Sequence, residues 1–205
     1  MSLYSVEAIC DLTGLLPATL RNWKRAGLIT QPQHNGEYTS GQLTRIYSVL
    51  DLTATGSTLP EIYAFLQGRS PLPQNRWQCR QEEMTDQLRD SSDLALQARM
   101  RQMGSDYSGD DFVNAYLKPL NLLLRSDNSA DSVIKQSRFH DAVVFHARCI
   151  MRASERRKTV PVFLEAISVT DATEIWLEAI RLTGQGCRVE ISENVTGLPA
   201  TSIYR

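Results

Sequence analysis

The sequence has few of the features that mark membrane-inserted or secreted proteins. Its unbroken apolar runs are only a few residues long, as at 122–124 and 162–164, whereas a membrane-spanning helix needs about 20. The first residues form neither a basic nor an apolar segment, so we expect no signal peptide. The four cysteines lie far apart with no CxxC pair, which favours reduced, buried thiols. We therefore expect a cytoplasmic protein that does not contact a membrane.

Residues suited to catalysis or metal binding are also scarce. The chain has three histidines, and no pattern of serine, cysteine and histidine indicates a nucleophile with its base. His140 and His146 are not at the i,i+4 spacing of a helical metal-binding pair. Neither a GxGxxG nor a P-loop pattern occurs. The sequence therefore predicts no enzyme, no metal site and no cofactor.

Charge is balanced over the whole chain but not along it. The 22 basic and 23 acidic side chains give a net charge of −1, and nucleic-acid-binding proteins are usually more basic. A nucleic-acid role must therefore depend on a local patch. Arg21, Lys24 and Arg25 form one such patch, and a second basic run lies at 156–158.

The N-terminal region carries the start and stop signals of four short helices. Ser5 suits the N-cap of the first. Pro17 suits the first turn of the second, which Gly27 closes. Thr58-Leu-Pro-Glu61 fits a capping box at the start of the fourth. Residues 30–41, between the second and third helices, are predicted to form a turn or a small hairpin.

The rest of the chain divides where the hydrophobic period changes. From Arg76 to Arg157 apolar residues recur at helical spacing in four segments, which predicts a bundle. Pro119 should kink the third of these helices or mark its middle. Val160–Ile167 and Cys187–Ile191 look like strands on either side of a helix. They predict one βαβ unit with a parallel strand pair.

The second helix is the strongest functional signal. A short basic helix joined to the preceding helix at a glycine describes a helix-turn-helix, whose second helix enters the major groove of DNA. Arg21, Lys24 and Arg25 would contact phosphates or base edges, with Asn22 and Trp23 beside them. The competing interpretation is a small helical domain with a solvated basic face. The residue pattern alone leaves both open.

Two segments of this region resemble a known family. Tyr4-Ser-Val-Glu-Ala-Ile9 and Leu20-Arg-Asn-Trp-Lys-Arg-Ala-Gly-Leu-Ile29 are similar to the opening of the MerR family of transcription regulators. The resemblance implies a winged helix-turn-helix that binds double-stranded promoter DNA as a homodimer and cooperates with RNA polymerase. The DNA-binding residues that it implies are Thr19, Arg21, Asn22, Trp23, Lys24, Arg25 and Tyr38.

The remaining parts resemble a subgroup of that family in which a helical bundle and a cobalamin-domain-like unit follow the head. Tyr116-Leu-Lys-Pro-Leu120 and Glu174-Ile-Trp-Leu-Glu178 carry this likeness. The predicted fold is therefore mainly α, with a small C-terminal βαβ unit. Residues 1–68 form the winged helix-turn-helix head, residues 76–158 the helical bundle, and residues 159–205 a truncated α/β unit.

The sequence departs from the family in two places. The wing tip, His34-Asn-Gly-Glu37, is short and lacks the family's arginine, and Glu37 would repel phosphate. The loop at 168–174 lacks the histidine that would hold cobalamin, so we expect none to bind. An alternative function follows from these departures, namely a protein-interaction module that does not bind DNA and titrates a partner or a related regulator.

The two predicted strands of the α/β unit would leave long open edges. The unit could pack on the bundle as a remnant, or residues 192–205 could return to cover an edge. It could also pair with its counterpart in a second chain, which we favour because a DNA-binding head of this type needs a dimer.

Overall fold

Helices make up most of the fold. The computed structural model describes residues 2–32, 36–71, 74–156, 159–166 and 171–192. In chain order the elements are β1 (Leu3–Tyr4), α1 (Val6–Thr13), α2 (Pro17–Arg25), β2 (Tyr38–Thr39), α3 (Ser40–Thr53), α4 (Leu59–Leu66), α5 (Trp77–Asp90), α6 (Asp93–Asp106), a π-helical segment (Asp111–Leu117), α7 (Lys118–Ser126), α8 (Ser132–Ser154), β3 (Pro161–Leu164), α9 (Ala172–Gly184) and β4 (Arg188–Ile191). The predicted mainly α architecture is confirmed. Among the described helices, none is both long and apolar enough to cross a membrane.

The head forms from the local signals in its sequence. The Ser5 hydroxyl accepts a hydrogen bond from the backbone N–H of Ala8 and so caps α1. Capping boxes at Thr39 and Thr58 start α3 and α4. Four helices then bury one apolar cluster, whose members include Ile9, Leu20, Trp23, Leu28, Ile46, Val49 and Ile62.

The wing strand pairs with the chain terminus. β2 lies antiparallel to β1, with Leu3 opposite Thr39 and Tyr4 opposite Tyr38. This pairing ties the returning strand of the predicted turn to the start of the head. The wing-tip residues His34 and Asn35 lie outside the described residues.

The bundle consists of α5, α6, α7 and α8, with the π-helical segment leading into α7. Pro119 lies in the first turn of α7, and a proline ring crowds the carbonyl four residues earlier. That carbonyl belongs to Ala115, and the Gln81 side-chain amide donates to it at 3.3 Å. The irregularity expected at Pro119 is therefore the wider turn of the π-helical segment, in which the Ala115 carbonyl accepts a hydrogen bond from Gln81.

The C-terminal unit is built on the bundle. β3 and β4 pair in parallel, from Pro161 opposite Arg188 to Leu164 opposite Ile191, as the βαβ pattern predicts. The strands are shorter than expected. Leu177 and Ile180 of α9 belong to the same apolar cluster as the bundle residues. Within the described part of this unit, α9 therefore shares its apolar core with the bundle.

The head and the bundle meet at a tight junction around Gly56. The Trp77 indole donates to the carbonyl oxygen of Ala54 at 2.9 Å, and the Tyr107 hydroxyl donates to that of Gly56 at 3.2 Å. The buried Arg80 guanidinium lies 3.2 Å from the Glu61 carboxylate. These contacts hold the head in one orientation on the bundle.

Candidate nucleic-acid interface

The candidate interface is built around α2. Pro17 begins this helix, and Leu16 at the N-cap makes no side-chain capping bond. Lys24 and Arg25 occupy the last turn, where their charge favours the helix dipole. Gly27 follows at φ 75°, a left-handed conformation that suits glycine, and turns the chain away.

One face of α2 belongs to the core of the head. Thr19, Leu20 and Trp23 are buried, and the Trp23 side chain is 0% exposed. Tyr38 on β2 is buried as well. Three of the seven residues assigned to DNA binding, Thr19, Trp23 and Tyr38, therefore face inward in this conformation. Thr19 and Trp23 are four residues apart, a spacing that places them on the same face of the helix. Their position beside basic residues does not reveal that this face is buried.

The opposite face of α2 is basic and open. Ala18, Arg21 and Arg25 are exposed, while Asn22 and Lys24 are half-buried. The Arg25 guanidinium donates to the Asn22 side-chain carbonyl at 3.0 Å. Ion pairs among the described residues include none of Arg21, Lys24 and Arg25, so their charge is available to an anionic partner.

α2 is also bound to the bundle through Asp106. The Asn22 side-chain amide donates to the Asp106 carboxylate, and the Trp23 indole donates to the Asp106 backbone carbonyl at 2.8 Å. Burial raises the pKa of the Asp106 carboxyl to about 6. The sequence contains no local signal for this contact, because Asp106 lies 84 positions from Asn22.

A recess lies between α2 and the end of α6. Ala18, Arg21, Lys24, Arg25 and Ser105 line it, and its volume is about 400 Å³. Its charged walls are all cationic, so it suits a phosphate rather than an apolar ligand. We call it the basic recess.

Arg45 is a further basic residue of the head, which the sequence analysis did not assign to DNA binding. Its guanidinium Nε donates to the Leu28 carbonyl oxygen at 3.0 Å, beyond the end of α2. Gln42, one turn earlier, donates to Thr30 Oγ1 at 2.8 Å and to the Gln31 carbonyl oxygen at 2.7 Å. These bonds fix the entry to the wing.

The histidines and cysteines do not assemble into a metal site in the described part of the chain. No group of three or more potential ligands occurs there. His146 is buried against the Phe112 ring, and burial lowers its pKa to about 4. His140 Nδ1 lies 3.0 Å from Thr173 Oγ1. Both histidines therefore make packing or hydrogen-bond contacts within the fold.

The N-terminal domain matches a known family over residues 4–69, described as "MerR HTH family regulatory protein". The head is a MerR-type helix-turn-helix domain, and the resemblance of its motifs is confirmed. Similar proteins include the "HTH-type transcriptional regulator MlrA" of Escherichia coli (strain K12) and of Salmonella typhimurium (strain SL1344). Each is 22% identical over 196 residues, which cover 93% of this chain and 80% of the relative. No solved structure matches this chain.

Proposed function

We propose that this chain is a DNA-binding transcription regulator of the MerR type. The observation that carries the proposal is the exposed, unpaired basic face of α2, within a domain of a family whose members are regulatory proteins. The similar MlrA proteins are named as transcriptional regulators, which favours the same class. The chain then acts in the cytoplasm on promoter DNA as a homodimer, together with RNA polymerase, and needs no catalytic step.

The proposal divides the assigned residues by role. Arg21 and Arg25 contact phosphates or base edges, and Lys24 contributes charge at the wall of the basic recess. Asn22 joins this face while remaining bonded to Asp106. The three inward-facing residues, Thr19, Trp23 and Tyr38, take part by shaping and supporting the surface that meets DNA.

A protein-interaction module remains the second candidate function. It is favoured by the contact of Asn22 and Trp23 with Asp106, which engages part of α2 within the chain itself. Glu37, in the wing tip, adds an acidic group near the expected path of the phosphates. Such a module would keep the head fold without binding duplex DNA.

Salt-dependent binding to duplex DNA separates the two functions. We expect the chain to bind random-sequence duplex DNA. The logarithm of its binding constant should fall linearly with the logarithm of the salt concentration, with a slope of about −0.9 for each phosphate contacted. Fluorescence anisotropy over a range of potassium chloride concentrations measures this slope. Absence of binding at the lowest salt concentration would favour the interaction module.

A further inference from the structure

We propose that the bundle carries a second DNA-backbone contact surface, formed by Arg101 of α6, by Arg148 and Arg152 of α8, and by Arg156 just beyond the end of α8. We call it the bundle arginine face. It would contact phosphates that flank the site occupied by α2. This inference rests on the proposed function and extends it from the head to the bundle.

The first argument is the pattern of ion pairing. Among the described residues of the bundle and the C-terminal unit, eight arginines lie within 4.0 Å of a carboxylate, namely Arg76, Arg80, Arg89, Arg99, Arg125, Arg138, Arg181 and Arg188. The four remaining arginines of those stretches are unpaired, and all four are exposed. They are the four members of the bundle arginine face.

The second argument is that these four side chains lie together. The Arg101 guanidinium lies 5.7 Å from the centroid of the Phe145 ring on α8. Arg148 and Arg152 follow Phe145 on one side of α8, at steps of three and four residues, and Arg156 lies in the turn that follows the end of the helix at Ser154. The Arg148 guanidinium lies 5.4 Å from the Trp176 ring. Aromatic rings thus position two of the guanidinium groups without neutralising their charge.

The third argument is continuity with α2. Ser105 follows Arg101 by one helical turn and lines the basic recess together with Arg21 and Arg25. The Asp106 contacts fix α6 against α2. Arg101 therefore lies on the side of α6 that faces the basic recess.

The direction of α8 extends this surface toward the head. Near its start, Arg138 pairs with Asp93 at the beginning of α6, and about two turns later on both helices Phe145 meets Arg101. α8 thus runs alongside α6 in the same direction. Arg152 and Arg156 continue toward the end of α6 that contacts α2.

The acidic side chains nearest to these arginines in sequence, Asp141 of α8 and Glu155 just after it, form no ion pair with them in the described structure. Glu155 lines a different recess, together with Arg188 and Glu190. Asp141 lies one turn before Phe145, on the part of α8 further from the head. A duplex is the partner that fits because the surface continues the basic face of a DNA-binding helix, and phosphate contacts supply most sequence-independent affinity. Phosphate contacts by the bundle arginine face would also replace those of the arginine that the family has in its wing and that this chain lacks.

The test compares two double variants of the full-length chain. R152Q/R156Q removes two exposed guanidinium groups that make no ion pair in the described structure, so the fold should be unaffected. R89Q/R125Q is the matched control, because it removes the same charge from arginines that already have carboxylate partners. Each is titrated with a random duplex of about 30 base pairs, roughly three helical turns.

We expect R152Q/R156Q to lower the salt slope by about 2 and to weaken binding at low salt roughly tenfold on any sequence. The control should keep the wild-type slope. Equal slopes for R152Q/R156Q and the wild type would overturn the bundle arginine face, as would an equal loss in both double variants.

R21A, measured in parallel, separates failure of this inference from failure of the proposed function. If it weakens binding while R152Q/R156Q does not, the proposed function stands and only this inference fails. If the wild type binds no duplex, both fail.

Discussion

At the scale of single residues, Arg21 is the side chain on which the proposed function depends most directly. It is exposed on α2 and lines the basic recess without an ion pair in the described structure. We predict that Arg21→Ala weakens specific and non-specific DNA binding together by about 1–3 kcal/mol. Its free energy of unfolding should change by less than about 0.5 kcal/mol, as is usual for an exposed site.

Mobility-shift titration at fixed salt measures this effect of Arg21. Arg89→Ala is a suitable control, because Arg89 is an exposed bundle residue in weak surface ion pairs. An Arg21→Ala affinity equal to that of the wild type would remove Arg21 from the interface.

Asp106 adds a pH dependence to the contact between α2 and α6. Burial raises the pKa of its carboxyl from 3.8 to about 6, although the Asn22 bond acts in the opposite direction. A raised carboxyl pKa gives stability that is fully present below the unfolded value and is lost as pH rises through the folded value. The wild type should therefore lose roughly 2 kcal/mol of unfolding free energy between about pH 4 and pH 7 through this group.

The variant Asp106→Asn isolates that contribution. Its side-chain carbonyl can still accept from Asn22, but it does not titrate. We predict that the stability difference between variant and wild type shifts by roughly 2 kcal/mol in favour of the variant from about pH 4 to pH 7. Urea unfolding at a series of pH values measures it. Parallel profiles for the two proteins would show that the Asp106 carboxyl is not perturbed by burial.

At the scale of elements, the junction between the head and the bundle depends on Gly56. Its φ of 76° is left-handed, and an added Cβ would lie 2.7 Å from the Trp77 ring and 2.9 Å from the Trp77 backbone nitrogen. We predict that Gly56→Ala lowers the free energy of unfolding by roughly 2–4 kcal/mol through backbone strain and displacement of Trp77. Thermal or urea unfolding measures this change.

Gly41 supplies the control for Gly56. It lies in the first turn of α3, and its nearest neighbour to an added Cβ is Thr39 Oγ1 at 3.9 Å. Gly41→Ala should be neutral or stabilise the fold by up to about 1 kcal/mol. Similar destabilisation by both alanines would contradict a specific role for Gly56.

Elements with local start signals were predictable, whereas contacts between them were not. Ser5, Pro17 and Thr58 predicted where three head helices begin, because capping depends on neighbours within a few residues. The bond from Asn22 to Asp106 has no such signal. Trp23 shows the limit within one helix, since a tryptophan beside basic residues fits either a DNA-facing or a core position. Only the packing of α2 against other elements decides between the two.

At the scale of the whole molecule, the C-terminal unit is part of the packed core. Leu177 of α9 is fully buried and Ile180 is 2% exposed, both in the bundle cluster. Deleting residues 159–205 would therefore expose bundle residues as well as remove the β3–β4 sheet. A truncated chain that fails to dimerise would then be explained equally well by unfolding. The proposed role of this sheet in a homodimer is therefore tested by a surface substitution instead.

Phe163 is the position for that test. It lies on β3 with 71% of its surface exposed, three residues after Val160 at 86%, in a sheet that has two strands among the described residues. If the sheet forms the dimer contact, Phe163→Glu places a charge in an apolar interface, where its desolvation is costly. We predict a mainly monomeric protein by sedimentation equilibrium, with unchanged unfolding of the monomer and weaker binding to a palindromic site. Leu94→Glu, at an equally exposed apolar residue of α6, should leave the dimer intact. A Phe163→Glu protein that still sediments as a dimer would move the contact to the helices of the bundle.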